Sequence, residues 1–181
     1  VTMSQKAWKA AEKSNLPKFY LNLKSYKKSL ASNSNPYTPA VNLFFALDEA
    51  LKMMREEGLD NIFQRHNKHK LAISNAIKAL NLKLFADKQY LSPSITAIKT
   101  EEMDAEKFRK TIKNKFNILL AGGQDHLKGK IFRVGHLGYV NDRDIITVIS
   151  AIANTLLDQG KITAKQAGEA LVMASKYLEG N

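Results

Sequence analysis

The chain contains no cysteine at all, and this removes disulfide-stapled scaffolds, thiolate metal sites and cysteine nucleophiles together. Long apolar runs are also missing. Ile145 to Leu157 is among the most apolar stretches, yet Thr147, Ser150, Asn154 and Thr155 interrupt it, and it falls short of the roughly 18 residues a membrane helix needs. Nothing reads as a secretory leader, so the expectation is a non-membrane, cytoplasmic protein. Acidic residues are scarce, 17 against 28 Lys and Arg, for a net charge of +11. That excess does not point to nucleic acid: the lysines spread from Lys6 to Lys176 over polar helix faces, with no zinc-finger spacing and no compact arginine cluster. With 44% hydrophobic residues in 181, the chain can bury a core as one domain or a domain with appendages.

Punctuation and periodicity divide the chain. Ser4 caps a helix through Trp8 and Ala11 that stops near Asn15 and Pro17. Tyr20 to Tyr26 is too short and mixed to assign. Leu30 to Pro39, with Pro36 and Pro39, reads as loop or extended chain. From Ala40, Leu43, Leu47, Leu51 and Met54 recur at helical spacing up to Gly58, with Phe44 and Phe45 reading as helix packing or an interface. A second helix is predicted from Asp60 as its cap, using Phe63, Ile73, Ala76, Ile77 and Leu80.

The remainder mixes strands and helices. Leu82 to Phe85, Ser94 to Thr100, Asn117 to Leu120 and Lys130 to Val134 read as strands, with Thr96 and Ile98 sharing one face of the second. Asp104 caps a helix through Phe108, Ile112 and Phe116. Asn141 with Asp144 and Thr163 with Gln166 form capping-box patterns for two last helices, the first stopping at Gly160. The fold class is α+β: a small antiparallel or mixed sheet covered by helices, preceded by an N-terminal helical linker.

Chemistry concentrates between Ala121 and Gly138. Gly122 and Gly123 permit a turn or close backbone approach, but no phosphate-loop pattern surrounds them, and an ordinary hairpin explains them equally. Arg133 sits among Ile131, Phe132 and Val134, so its stem lies beside a core while its guanidinium demands a partner. The planar fork suits a carboxylate gripped by two hydrogen bonds; a structural ion pair or a surface strand arginine remain open readings. His66 and His69 match no metal-ligand spacing and read as solvated or locally paired, His136 as a neighbour of any cleft at Arg133, and Trp8 as helix packing. No metal site is expected.

The run Tyr37-Thr38-Pro39-Ala40-Val41 into Phe44-Phe45-Ala46-Leu47, then Glu57-Gly58-Leu59 and Arg65-His66, resembles class V aminotransferases. Ala121-Gly122-Gly123-Gln124 and Gly129-Lys130-Ile131-Phe132-Arg133-Val134-Gly135-His136-Leu137-Gly138 resemble the same family's C-terminal part, in order and spacing. The resemblance spans nearly the whole chain and is nearest the alanine–glyoxylate, serine–glyoxylate and serine–pyruvate branch. It implies the small domain of a fold-type I pyridoxal-phosphate enzyme over residues 40–181, and a linker left from the large cofactor-binding domain over 1–39.

It further implies that Arg133 receives the substrate α-carboxylate and that Thr38 reaches the cofactor phosphate of the neighbouring subunit in a homodimer. Asn35, where relatives often carry tyrosine, is implied as a weaker phosphate contact. The Schiff-base lysine of the family falls before Val1, so no catalytic residue is expected here, and Lys6, Lys128 and Lys130 are not substitutes. The expectation is a catalytically incomplete piece whose intact parent exchanges an amino group between a small amino acid, alanine or serine, and a keto acid such as glyoxylate or pyruvate. Pyridoxal 5'-phosphate would belong to the parent and not stay on the isolated piece. The other reading is a stand-alone interaction module or a soluble hydrogenase-associated subunit, since some members of the resembled family are described as hydrogenase subunits. This chain brings no thiolates for a metal–sulfur centre.

Overall fold

The computed structural model of the chain describes every residue except Glu102, Gly180 and Asn181. Two compact units emerge, Val1–Met53 and Met54–Asn181.

The first unit holds α1 (Gln5–Lys13), α2 (Leu23–Leu30) and most of α3 (Val41–Glu57). Ser4 caps α1 as expected, its hydroxyl accepting from the Ala7 amide at 3.2 Å. The short α2, which the sequence left unassigned, is started by Asn22, whose side chain accepts from the Lys24 amide. Its neighbour Tyr37 organises the loop before α3. Three rings, of Phe19, Tyr20 and Tyr26, surround Tyr37 with centroids at 5.4, 4.8 and 6.0 Å, and its hydroxyl donates to the Phe19 carbonyl at 2.9 Å. α3 forms as the leucine spacing predicts, but Leu43, Phe44, Phe45 and Leu47 are exposed and no α3 residue is buried.

The second unit runs α4 (Leu59–Ala79), β1 (Lys83–Leu84), β2 (Ile95–Lys99), α5 (Ala105–Phe116), β3 (Ala121–Gly122), β4 (Ile131–Gly135), α6 (Asp142–Asp158) and α7 (Ala164–Leu178). The sheet order is β1-β2-β4-β3, all antiparallel. Cross-strand partners share a face, so Thr96 opposite Val134 and Ile98 opposite Phe132 point one way, while Ala97 opposite Arg133 points the other. The first face is buried under the helices: Ile98 and Phe132 are fully covered and join Ile73, Ile77, Phe108, Ile112, Ile149 and Ile152 in one core. The Phe108 and Phe132 rings meet at 5.2 Å. α7 closes the layer by packing on α4 and α6.

Both expected capping boxes form, Asn141 with Asp144 and Thr163 with Gln166, and Asp104 caps α5. Two boundaries differ from expectation. Asp60 does not cap α4: Gly58, at φ +82°, breaks the chain between α3 and α4, so the helix begins at Leu59 and Asp60 falls inside its first turn. Asn117 to Leu120 is not a strand. Asn117 takes a left-handed φ of 55° as the C-cap of α5, its amide donating to the Lys113 carbonyl, and pairing waits until Ala121.

The loop from β4 to α6 is tied down by α4. Arg65 donates to Glu57 at 2.9 Å and to the Gly138 and Val140 carbonyls at 3.0 Å each. His66 Nδ1 faces the Ile62 carbonyl at 2.7 Å, which fixes the proton there and leaves Nε2 to accept from the Gly138 amide at 3.3 Å. His69 is fully buried, with Nε2 at 2.9 Å from Asp142, whose other oxygen accepts from Lys68 at 2.8 Å. The local pairing expected for these histidines holds; their solvation does not, because the pattern of α4 turns them onto its core face. His136 is also fully buried, 3.0 Å from the Thr96 hydroxyl, so it is a core residue and not the rim of a cleft. Among the described residues, His69 Nδ1 and His136 Nδ1 have no partner.

Burial, together with the nearby His69 and His66, pushes the His136 imidazole down to about 4, and burial lowers His69 despite the Asp142 carboxylate. An unfolded histidine titrates near pH 6.5, so between that value and about 4 the unfolded chain holds more protons and stability falls as pH falls. The depressed carboxylates of Glu57 and Asp142 carry the loss further into acid. His136 alone accounts for roughly 3 kcal/mol of it. Urea unfolding at about pH 7 and about pH 4.5 should show this loss, and His136→Asn should flatten the dependence within that window.

Candidate functional site

Arg133 occupies the middle of β4 on the sheet face away from the helices, flanked across the strands by Ala97 and Ala121. Small neighbours on both sides leave its half-buried side chain room to lie along the sheet. Its Nε donates to the Gly122 carbonyl at 2.9 Å. Among the described residues no carboxylate lies within ion-pair distance of it, so none of them makes the structural ion pair left open by the sequence. With Nε committed to the backbone, the side-on fork is used. The two terminal amino groups remain, an end-on pair matched to the two oxygens of one carboxylate.

Gly122 and Gly123 are needed for close approach, and neither requires a positive φ. A Cβ at Gly123 would lie 2.1 Å from the Leu127 backbone oxygen, where nothing flexible can give way. A Cβ at Gly122 would lie 2.5 Å from Arg109 Nη1 and 2.6 Å from Glu106 Oε1. Sequence reasoning passed over Glu106 and Arg109, whose three-residue spacing within one helix is the only local signal they carry. Arg109 Nη1 donates to Glu106 at 2.7 Å and its Nε to the Leu120 carbonyl at 2.7 Å, fastening α5 to the chain just before β3.

Thr38 and Asn35 belong to the first unit. Both are exposed in the loop that Tyr37 anchors, and among the described residues neither side chain makes a hydrogen bond. Thr38 does not cap α3: the Val41 amide goes to the Pro39 carbonyl at 2.9 Å, and Leu43 and Phe44 go to Ala40. Asn35 borders a cavity of about 230 Å³ with Trp8, Leu23 and Tyr26. A free hydroxyl and a free amide on an anchored loop are donors that fit a phosphate group. No group of three or more potential metal ligands occurs among the described residues, and no helix of the described chain is long and apolar enough to cross a membrane.

No family model matches the chain. Among curated proteins it is 50% identical over 178 residues to the soluble hydrogenase small subunit of Synechococcus sp., covering 98% of this chain and 46% of that one. It is 52% identical over 160 residues to the soluble hydrogenase 42 kDa subunit of Anabaena cylindrica, covering 88% and 42%. To the serine–glyoxylate aminotransferase of Methylorubrum extorquens it is 35% identical over 189 residues, covering 100% and 46%. The chain thus spans about half the length of the curated relatives it matches. Its fold superimposes on the crystal structure of ureidoglycine–glyoxylate aminotransferase from Bacillus subtilis with a TM-score of 0.83 at 29% identity, over 92% of this chain and 44% of that one. The antiparallel sheet with its helical cover is therefore the domain architecture of fold-type I enzymes, and the chain has the class V pyridoxal-phosphate-dependent aminotransferase-like fold of the alanine–glyoxylate, serine–glyoxylate and serine–pyruvate branch, matching as a domain of a larger protein.

Proposed function

We propose that this chain is the carboxylate-binding part of a pyridoxal-phosphate-dependent protein, with Arg133 receiving the α-carboxylate of an amino acid or keto acid. The observation that supports it is the guanidinium on the open sheet face, held by the Gly122 carbonyl through Nε and paired with no acid among the described residues. An end-on pair of charged hydrogen bonds fixes both position and plane of a carboxylate, and holding the adjacent reacting carbon in one place lowers the entropic part of the barrier. The cofactor, when bound to the parent, supplies the electron sink for amino-group transfer. Residues 1–39 are proposed as the connection to its large domain, 40–181 as the small domain, and alanine or serine with glyoxylate or pyruvate as substrates.

In the parent, Arg133→Ala should lower kcat/KM for carboxylate substrates about 100-fold or more, the scale expected when one partner of a desolvated charge pair is truncated. Cofactor occupancy, read by its visible absorbance, should stay near wild type. Unchanged kinetics would remove Arg133 from the site.

A second reading has a specific observation behind it: the relatives named as soluble hydrogenase subunits are 50% and 52% identical, above the 35% of the serine–glyoxylate enzyme. On that reading the chain is part of a subunit derived from the aminotransferase fold and working beside a hydrogenase. Hydrogen-dependent dye reduction and amino-group transfer, measured on the same purified parent, separate the two. Transfer without dye reduction supports the first; hydrogen oxidation that depends on this subunit, with no transfer to any small keto acid, supports the second.

Thr38, with Asn35 as a weaker contact, is proposed to complete a cofactor phosphate site in the opposite subunit of a homodimer. Its exposed hydroxyl with no partner in its own unit supports this. Thr38→Ala in the parent should weaken cofactor binding about fivefold, the worth of roughly 1 kcal/mol for one hydrogen bond. Mixed dimers with subunits lacking the Schiff-base lysine test the crossing. If the Thr38 defect follows the lysine of its own polypeptide, the shared site is wrong.

A further inference from the structure

We propose that Glu106 and Arg109 on α5 are positioning residues for Arg133, acting through the two-residue strand β3. This deepens the carboxylate reading above and rests on it. β3 lies at the sheet edge and among the described residues pairs only with β4, so its own two-residue ladder is too short to hold it firmly. Yet its Gly122 carbonyl is the acceptor that fixes the Arg133 guanidinium. The missing restraint comes from α5. Arg109 Nε donates to the Leu120 carbonyl at 2.7 Å, one residue before β3, while Nη1 is held by Glu106 at 2.7 Å.

The same pair lies against the Gly122 Cα: a side chain there would meet both Arg109 Nη1 and Glu106 Oε1 at under 3 Å. Only glycine lets the pair pack so closely on the back of the strand whose carbonyl serves Arg133 on the front. Arg109 is largely covered, with 22% of its side chain exposed, which makes the pair more than a mobile surface contact. Glu106 Oε1 is buried with no partner among the described residues, a polar atom kept where it costs stability. The Glu106 carboxylate also pairs the Arg109 charge, so the cation is held against the back of β3 with its partner beside it. The chain of contacts is thus α5 to Leu120, Leu120 to Gly122, and Gly122 to the Nε of Arg133, with the end-on amino groups aimed as the result.

The test uses the 181-residue chain, labelled for NMR, comparing wild type with Arg109→Met and Gly122→Ala. The readout is solvent exchange of the Arg133 Nε proton, referenced to the backbone amides of β2 and β4. Both variants should accelerate that proton about tenfold, the loss of one well-made hydrogen bond, while the β2 and β4 amides change less than about twofold. An unchanged Arg133 proton overturns the proposal. So does uniform acceleration of all β4 protons, which marks a merely structural role. If Arg109→Met does not fold, Gly122→Ala alone decides, because it displaces a flexible side chain and leaves the Arg109 guanidinium in the protein. Titration with glyoxylate separates the underlying reading. If glyoxylate shifts the Arg133 signal in wild type but not in Arg133→Lys, and binds several-fold more weakly to Arg109→Met, both stand. If it shifts nothing in wild type while the exchange result holds, the carboxylate reading has failed and the coupling between α5 and Arg133 has not.

Discussion

The register of β4 against β2 governs everything else in the second unit. Phe132 and Val134 must face the helices, where they are almost wholly buried, and alternation along the strand then sends Arg133 to the open face. A slip of one residue would expose both apolar side chains and drive a guanidinium into the core, at a cost of several kcal/mol for the charge alone. The core thus orients the arginine without touching its charged end. A site built this way inherits the rigidity of the sheet.

What the sheet does not supply is the arginine's azimuth, and here the edge strand matters. β3 is too short to be a stable element by itself, and it is held between the β4 ladder on one side and α5 on the other. The two glycines are explained by that squeeze. Gly123 passes under the Leu127 carbonyl and Gly122 under the Glu106 and Arg109 pair, so each lacks a side chain because something else occupies its space. The buried histidines serve the other end of β4. His66 and His69 tie the chain after it to α4, His66 by accepting from the Gly138 amide and His69 through Asp142.

The helices and most strands were legible because their signals are local. Apolar spacing, the Ser4, Asp104, Asn141 and Thr163 caps and the alternation around Thr96 and Ile98 each need only a few residues of context. The misreadings came where a neighbour outside that window decided. Asp60 looks like a cap until Gly58 breaks the chain two residues earlier, and Asn117 to Leu120 looks like a strand until α5 is seen to end on a left-handed asparagine. For the same reason α2 went unassigned, and of the two readings of His66 and His69, solvated or locally paired, only the packing of α4 selects the second by turning them inward.

By itself the sequence determined the α+β class, most of the helices and strands, the absence of thiolate chemistry and the prominence of Arg133 as a charged residue in an apolar strand. Those follow from composition, periodicity and the chemistry of single side chains. Tertiary structure decided which partner each polar group takes. It gave the Arg133 Nε to the Gly122 carbonyl, left the terminal amino groups without an acid among the described residues, set Glu106 and Arg109 against Gly122, and buried His136 beside Thr96. The physical reason is that hydrogen bonds and close contacts join residues 11 to 40 positions apart in the cases of Arg133 with Gly122 and Thr96 with His136, and no local pattern encodes separations of that size.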